Sequence, residues 1–226
     1  GLEPAITAMV PSDIGPAAAR NLARDIAKSG AQCTVSVLSV STSVPLFKAM
    51  HELNIGMAVL SHWGFISDGF TSQVPHKVRE ALQLRVLQTC GLNIESAGSP
   101  MLDQALATAS NVGARIETLR DIGAPAGFVH GYDRGRIVRA AAEPAAKTKD
   151  WSHGPIARRK ALRSALVDLR TPVEGILMTY EAPFSDLTET ARDGHEALGH
   201  NQLCLAKFDA DDRLSAVNLA PPVVAK

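Results

Sequence analysis

The feature that most constrains this chain is the apolar run from Ile55 to Leu60, which stops abruptly at Ser61-His62-Trp63-Gly64. Strands that are covered on both faces are almost continuously hydrophobic, so the run predicts a buried parallel strand. In open α/β sheets, ligands bind just beyond the carboxyl ends of such strands. Ser61, His62 and Trp63 are therefore the first candidates for ligand contact. The alternative is ordinary loop polarity, with Trp63 filling a crevice.

The first ninety residues alternate between strand-like and helix-like patterns. The strand-like segments are residues 5–10, 33–40, 57–60 and 83–89, and the amphipathic helical segments are residues 17–29 and 44–54. This order predicts a parallel sheet with right-handed crossovers. The polar loop at residues 40–43 would open on the same edge of the sheet as Trp63. Ser41 and Thr42 are therefore further candidate contacts.

The remaining chain changes pattern twice. Helical periodicity covers residues 101–112, 132–146 and 157–169, and strand patterns follow at residues 175–180 and 203–208. A hairpin is predicted over residues 208–217, turning at residues 209–213. These late strands are expected to complete the sheet that the first part begins.

Composition narrows the possible partners. The 23 basic residues balance the 23 acidic ones, which argues against nucleic acid and against an anionic membrane as partners. No apolar run reaches the length of a membrane span, and the N-terminus lacks the pattern of a signal peptide. The sequence opens with Gly1 rather than Met, which favours a processed form or a fragment.

Three widely spaced cysteines occur, at positions 33, 90 and 204. Each lies in an apolar, strand-like run, so they are predicted to be small buried hydrophobes. The odd count without a Cys-x-x-Cys pair gives no support for a disulfide framework or a zinc site. An α/β enzyme that uses Cys33 or Cys90 with His62 as acid and base is an alternative. Of the two thiols, only Cys90 lies near the carboxyl end of its predicted strand.

Other polar clusters have simpler explanations. His195 and His200 are five residues apart rather than the four that would place both imidazoles on one helical face, so a polar loop is favoured over a zinc site. The basic residues between Arg158 and Arg170 are predicted to form a solvated helix face. Asp133 is expected to cap or support the start of its helix. Glycine patterns typical of dinucleotide, P-loop and serine-hydrolase sites are absent.

The order of these features resembles the C-terminal part of type I periplasmic substrate-binding proteins of ABC transporters, the Leu/Ile/Val-binding family. The segments that carry the resemblance are residues 60–64, 67–70, 86–89, 126–133 with 137–142, 160–166, 175 with 183–185 and 193–195, and 206–217. Each motif alone is degenerate. The similarity spans nearly the whole chain and rests on their order.

The resemblance implies an α/β protein of the periplasmic-binding-protein type I fold, with two Rossmann-like lobes that contain parallel sheets. It implies that this chain is incomplete at the N-terminus, so that a missing N-terminal segment or an oligomer would complete the fold. Residues 1–95 would be a βαβαβ segment of the second lobe, residues 96–172 a helical segment of the first lobe, and residues 173–226 the final crossing with the C-terminal strands.

The function that the resemblance implies is solute binding for an ABC importer, with no catalytic residue, cofactor or metal. A small amino acid-like, amide or aromatic-acid ligand would bind in the interlobe cleft, and lobe closure would signal to an ABC permease in the membrane. Carried over by position, Ser61, His62 and Trp63 are the best contact candidates. Ser41 and Thr42 come next, and Tyr132 is a weaker contact or a hinge-packing residue.

The location implied is the periplasm, or the cell surface through a lipid anchor, if an upstream signal exists, and the cytoplasm otherwise. A cytosolic ligand sensor of the same fold remains an alternative. So does a Cys/His enzyme of the racemase or lyase type, and a bare interaction module is a third possibility.

Overall fold

The computed structural model describes residues 3–67, 69–90, 99–113, 115–189, 192 and 194–217. Its α-helices are α1 (Pro16–Lys28), α2 (Val40–Glu52), α3 (Phe70–Gln73), α4 (His76–Ala81), α5 (Pro100–Asn111), α6 (Pro125–Ala145) and α7 (Pro155–Val167). Its strands are β1 (Cys33–Val35), β2 (Ala58–His62), β3 (Arg85–Thr89), β4 (Val173–Glu174), β5 (Thr179–Tyr180), β6 (Leu203–Phe208) and β7 (Leu214–Ala216). No described helix combines the length and apolar character that crossing a bilayer requires.

One five-stranded sheet organises the first part of the chain, in the order β1-β2-β3-β6-β7. Strands β1, β2 and β3 are parallel, whereas β6 pairs antiparallel with β3 and β7 antiparallel with β6. The predicted α/β class is confirmed. The late strands β6 and β7 complete the early sheet as predicted, whereas β4 and β5 form a separate sheet instead of joining it. β2 differs from its prediction in one respect, because only alternate residues, Val59 and Ser61, are fully buried.

The main hydrophobic core lies between this sheet and its helices. Phe47 of α2 is fully buried and meets the rings of Phe65 and Phe70 edge-on, at centroid distances of 6.0 and 6.3 Å. Val59 of β2 and Val86 of β3 join the same cluster. Edge-to-face packing of this kind adds about 0.5–1.5 kcal/mol per pair beyond the buried area.

The helical part of the chain contains two smaller cores. Leu102 and Leu106 of α5 pack with Val129 of α6 in one of them. Ile137 of α6 packs with Tyr180 in the other. Strands β4 and β5 form a separate antiparallel hairpin beside α6. A single strand was predicted over residues 175–180, but the chain turns over residues 175–178 and pairs Val173–Glu174 with Thr179–Tyr180.

Three further sequence predictions are corrected. Residues 5–10 are not a strand, because β1 pairs directly with β2 and no described strand pairs with this segment, whose Met9 is 97% exposed. The strand predicted over residues 33–40 is shorter in the structure, because β1 ends at Val35 and α2 begins at Val40. Helix α6 begins at Pro125, a full two turns before its predicted start. Pro at the first helical position suits that start, but Gly127 and Gly131 obscured the helical pattern.

The turn between β6 and β7 is held by hydrogen bonds within the turn and by an ion pair with α4. Asp209 accepts hydrogen bonds from the backbone N–H groups of Asp211 and Arg213, which confirms the predicted hairpin. Buried Arg79 pairs with Asp212, donates to the Val74 carbonyl at 2.8 Å and lies over the Phe208 ring. Because Arg79 is buried, this ion pair fixes α4 against the hairpin.

Candidate functional site

The carboxyl end of β2 carries Ser61 and His62, and Trp63 follows directly. The Ser61 side chain is buried and its hydroxyl donates to the Ser36 carbonyl at 2.8 Å, so it ties β2 to the chain that leaves β1. The chain then enters a short 3₁₀ turn, Trp63–Phe65. A Cβ at Gly64 would lie 2.3 Å from Cε1 of His62, so any larger residue there would displace the His62 ring.

The His62 ring has a defined orientation and one unused polar atom. Its Nδ1 accepts a hydrogen bond from the Gly64 N–H at 3.1 Å, which places the proton of the neutral ring on Nε2. Nε2 is buried and has no hydrogen-bond partner among the described residues. A buried donor without an acceptor costs about 1–3 kcal/mol, so a ligand oxygen that reached it would recover that free energy.

Trp63 brings β2 into contact with α6. Its ring is 40% exposed and lies 6.0 Å from the His62 ring and 6.2 Å from the His130 ring, between centroids. Nε2 of His130 makes a 3.0 Å hydrogen bond with the hydroxyl of Thr89, at the end of β3. We call His62, Trp63, Thr89 and His130 the ring cluster. It joins the ends of two neighbouring parallel strands to one helix.

The surroundings of His130 lower its pKa and favour the neutral ring. Burial is the main cause that lowers the pKa of His130 below its ordinary value, and the neighbouring Arg134 guanidinium lowers it further. The Asp133 carboxylate acts in the opposite direction. A neutral His130 remains a hydrogen-bonding group that carries little charge near pH 7.

A disulfide bond lies directly beside the ring cluster. Cys90 follows Thr89 directly and is bonded to Cys204 of β6. The prediction of three buried, unlinked cysteines was wrong, because two are linked and Cys33 is exposed at the edge of the sheet. The pair is 114 residues apart, a separation for which sequence spacing gives no signal. Cys90 is therefore not the free thiol that the Cys/His enzyme alternative requires.

Beyond His130 lies a cavity of about 460 Å³ between α6, α7 and residues 180–198. Its apolar wall is formed by Ile137, Val138, Leu166, Tyr180, Phe184, Ala197 and Leu198. Its polar groups belong to His130, Arg134, His195 and Glu196. His130 and Arg134 lie one turn apart on α6, so they share a helical face. Ligand pockets typically combine such an apolar wall with a few polar groups.

A buried carboxylate fixes α6 against the β4–β5 hairpin. Asp133 accepts hydrogen bonds from the backbone N–H groups of Ile176 and Leu177, at 2.6 and 3.1 Å, and from the Tyr180 hydroxyl at 2.9 Å. Burial and the Asp133 carboxylate raise the pKa of Tyr180, which keeps its hydroxyl a donor. The prediction that Asp133 supports a helix start was wrong, because Asp133 lies in the middle of α6.

The other predicted contacts lie apart from the ring cluster. Ser41 and Thr42 occupy the first turn of α2 instead of a loop, and their hydroxyls donate to the Ser12 carbonyl. Tyr132 is partly buried on α6, 6.0 Å from the Arg136 guanidinium, and does not line the cavity. The structure therefore brings His62 and Trp63 together with His130, and gives Ser41, Thr42 and Tyr132 other neighbours.

Sequence reasoning missed Thr89, His130 and Arg134 as site residues. The spacing of His130 and Arg134 on a helix was the available signal. The sequence pattern raises His195 only as a possible zinc ligand, and its segment is irregular in the structure. The described residues contain no group of three or more His, Cys, Asp or Glu side chains arranged to hold a metal ion.

A second cleft, of about 330 Å³, lies beside the β6–β7 turn and the start of α6. Ile66, Phe70 and Ile122 line it together with Asp212. Its polar lining also includes Ser67, Thr71, Asp211 and Arg213, and Asp212 is already paired with Arg79. No residue of the ring cluster lines this cleft.

Comparison with known proteins places the fold. No family model matches the chain, and no curated protein sequence matches it. Solved structures do match. An ABC transporter substrate-binding protein from Aeropyrum pernix superposes with a TM-score of 0.63 at 14% identity, over 95% of this chain and 51% of its own.

Two further structures are similar at the same level. A fatty acid ABC transporter substrate-binding protein from Thermomonospora curvata gives a TM-score of 0.58 at 14% identity, over 88% of this chain and 45% of its own. A solute-binding protein of an ABC transporter from R. palustris, in complex with benzoate, gives a TM-score of 0.53 at 16% identity. The match covers 90% of this chain and 48% of that protein. The chain spans about half the length of the structures it matches. It has the fold of the type I periplasmic substrate-binding proteins of ABC transporters.

Proposed function

We propose that this chain belongs to the solute-binding component of an ABC importer and binds a small molecule between the ring cluster and the cavity beside α6. One observation carries the proposal. Three rings, those of His62, Trp63 and His130, converge where two parallel strands end, and His130 also lines an open cavity of about 460 Å³. This is the position at which open α/β sheets bind ligands.

The chemistry of the site favours a ligand with an apolar body and an acidic or amide group. The apolar wall would bury the body of the ligand, and Trp63 would add a flat contact surface. Arg134 has no ion-pair partner among the described residues, so its guanidinium is available to a carboxylate. Nε2 of His62 would donate to an oxygen of the same ligand. Amino acid-like, amide and aromatic-acid ligands all have such oxygens.

His62 and Trp63 are the residues on which this proposal rests among those predicted from the sequence. Ser61 would act by holding the end of β2 in place, since its hydroxyl is committed to Ser36. We retain Ser41, Thr42 and Tyr132 as proposed contacts of a closed state. Closure would alter their surroundings, because hinge motions in two-lobed proteins absorb large backbone changes at a few residues.

We further propose that the protein is not catalytic, that it delivers its ligand to a permease, and that it works outside the cytoplasm. The Cys90–Cys204 disulfide supports the location, because disulfides persist in oxidising compartments and are rare in the cytosol. It weighs against a cytosolic sensor. It weighs equally against an enzyme that uses Cys90 as a nucleophile.

The test is a ligand screen with two readouts. Trp151→Phe leaves Trp63 as the single indole, so its emission reports on the site. Amino acids, amides and aromatic acids are titrated while thermal unfolding is followed. One class is expected to shift Trp63 emission and, at a hundredfold its dissociation constant, to raise the free energy of unfolding by about 2.7 kcal/mol.

Arg134→Gln tests whether the ligand lies in the cavity. Because a charged hydrogen bond contributes about 1.5–3 kcal/mol, this variant is expected to bind an acidic ligand at least tenfold more weakly. Arg139→Gln is the matched control, since Arg139 is on the same helix but pairs with Glu143 in solvent. A stably folded protein that responds to no class would contradict the proposed function.

A further inference from the structure

The overall neutrality of the chain conceals a local excess of positive charge. Residues 147–170 contain seven basic and two acidic side chains, a net charge of +5 within a chain whose total is zero. This segment comprises the 3₁₀ turn Lys149–Ser152 and the whole of α7. The charge is therefore concentrated on one helix and the turn that precedes it.

Three of the seven cations lie on one face of α7. Ile156, Arg159, Lys160 and Arg163 follow the i, i+3, i+4, i+7 spacing of a single helical face, and all four are exposed. Ile156 is 70% exposed. Leu166, one turn beyond Arg163, is partly buried and packs towards α6 and the cavity, so this face borders the packed side of α7. We call the four exposed residues the basic face.

Internal stability of the protein does not account for the basic face. Arg159 and Arg163 repel each other at i and i+4. Arg163 lies 3.7 Å from Asp186 in a pair that is mostly solvent-exposed. Arg159 and Lys160 have no ion-pair partner among the described residues. An anionic surface outside the molecule would satisfy all three cations together.

We propose that the basic face docks on an anionic phospholipid bilayer. Long Lys and Arg side chains reach headgroup phosphates, and each raises binding to an anionic bilayer about fivefold. Ile156 would insert its side chain among the headgroups and upper acyl chains. An acidic protein surface would satisfy the cations but would give the exposed Ile156 side chain no apolar layer.

The experiment measures sedimentation of the full chain with vesicles, without any solute ligand, so its result is independent of the proposed function. Vesicles of equimolar phosphatidylglycerol and phosphatidylcholine are compared with vesicles of phosphatidylcholine alone. The variant Arg159→Gln/Lys160→Gln/Arg163→Gln removes the cations of the basic face. The matched control, Lys28→Gln/Lys48→Gln/Lys77→Gln, removes the same charge from exposed positions on α1, α2 and α4.

The basic-face variant is expected to bind the anionic vesicles about a hundredfold more weakly than the unmodified chain. The control variant is expected to change binding only slightly. Ile156→Ser is expected to weaken binding a few-fold. Binding of the unmodified chain should fall steeply as salt shortens the Debye length from about 10 Å towards 3 Å. Circular dichroism checks that each variant is folded.

Three results would overturn the proposal. The first is equal binding to neutral and anionic vesicles. The second is an equal loss of binding in the control variant, which would assign the effect to net charge rather than to this face. The third is binding to polyglutamate without binding to anionic vesicles, which would identify an acidic polypeptide as the partner.

Discussion

The sheet region and the helical region of this chain are stabilised in different ways. Around the sheet, one large apolar cluster joins α1, α2, β2, β3 and the β6–β7 hairpin, with Phe47 at its centre. In the helical region the apolar clusters are small, and a buried carboxylate, Asp133, fastens α6 to the β4–β5 hairpin. Burial of apolar area is nondirectional, whereas hydrogen bonds to a carboxylate fix geometry.

This difference explains how the residues of the candidate site are held in position. His62 and Trp63 are positioned by the packed sheet, and His130 is positioned by the helix that Asp133 fastens. The ring cluster lies where the two regions meet. Weakening either region should therefore disturb the site, but in distinguishable ways.

The largest expected effect is in the sheet region. Phe47→Ala would leave a cavity among Phe65 and Phe70, and such truncations cost about 3–5 kcal/mol. We expect urea unfolding to shift to much lower denaturant and hydrogen exchange to increase throughout β1, β2 and β3. Phe47→Leu, which keeps most of the volume, should cost less. A loss below about 1 kcal/mol for the alanine variant would show that this cluster is not the main core.

A smaller and more local effect is expected at Asp133. Asp133→Asn puts an NH₂ group opposite a backbone N–H or the Tyr180 hydroxyl, and each charged hydrogen bond lost costs about 1.5–3 kcal/mol. Exchange should increase in α6 and the β4–β5 hairpin while β2 and β3 stay protected. Asp121→Asn is the control, since Asp121 also accepts backbone hydrogen bonds but is exposed. Uniform exchange across both regions would contradict the distinction between them.

The sequence predicted the regular parts of the fold because their apolar periodicity is local. The strand at β2, the helices α1, α5 and α7 and the β6–β7 hairpin all show their patterns within a dozen residues. The polar tip of β2 identified His62 and Trp63 for the same reason. Each of these predictions needed only the alternation of side chains along one element.

What the sequence could not predict depends on pairs that are distant along the chain. Cys90 meets Cys204 across 114 residues, and Asp133 meets Ile176 across 43. The early start of α2 is likewise fixed by contact of Thr42 with the Ser12 carbonyl, 30 residues away. His130 joined the site only because α6 packs beside Thr89. Tertiary contacts of this kind override local pattern, since they form only once both partners are placed.

The smallest expected effect concerns pH at the junction of the two regions. Burial lowers the pKa of His130 in the folded protein, whereas the unfolded chain keeps the ordinary value of about 6.5. Titration of His130 therefore leaves the free energy of unfolding unchanged above about pH 6.5. The free energy of unfolding then decreases as pH falls towards the folded-state pKa, because the unfolded state binds the proton first.

His130→Gln should flatten the decline in the free energy of unfolding between about pH 7 and pH 5, since glutamine does not titrate there. Other groups also titrate in this range, so the measured quantity is the difference in slope between the variant and the unmodified chain. His153→Gln is the control, because His153 is exposed. Trp63 emission, read in the Trp151→Phe background, should change over the same pH range, since Trp63 lies against His130. If the two slopes coincide, His130 is not the desolvated partner of Trp63, and the link between the sheet region and α6 rests on Asp133 and packing alone.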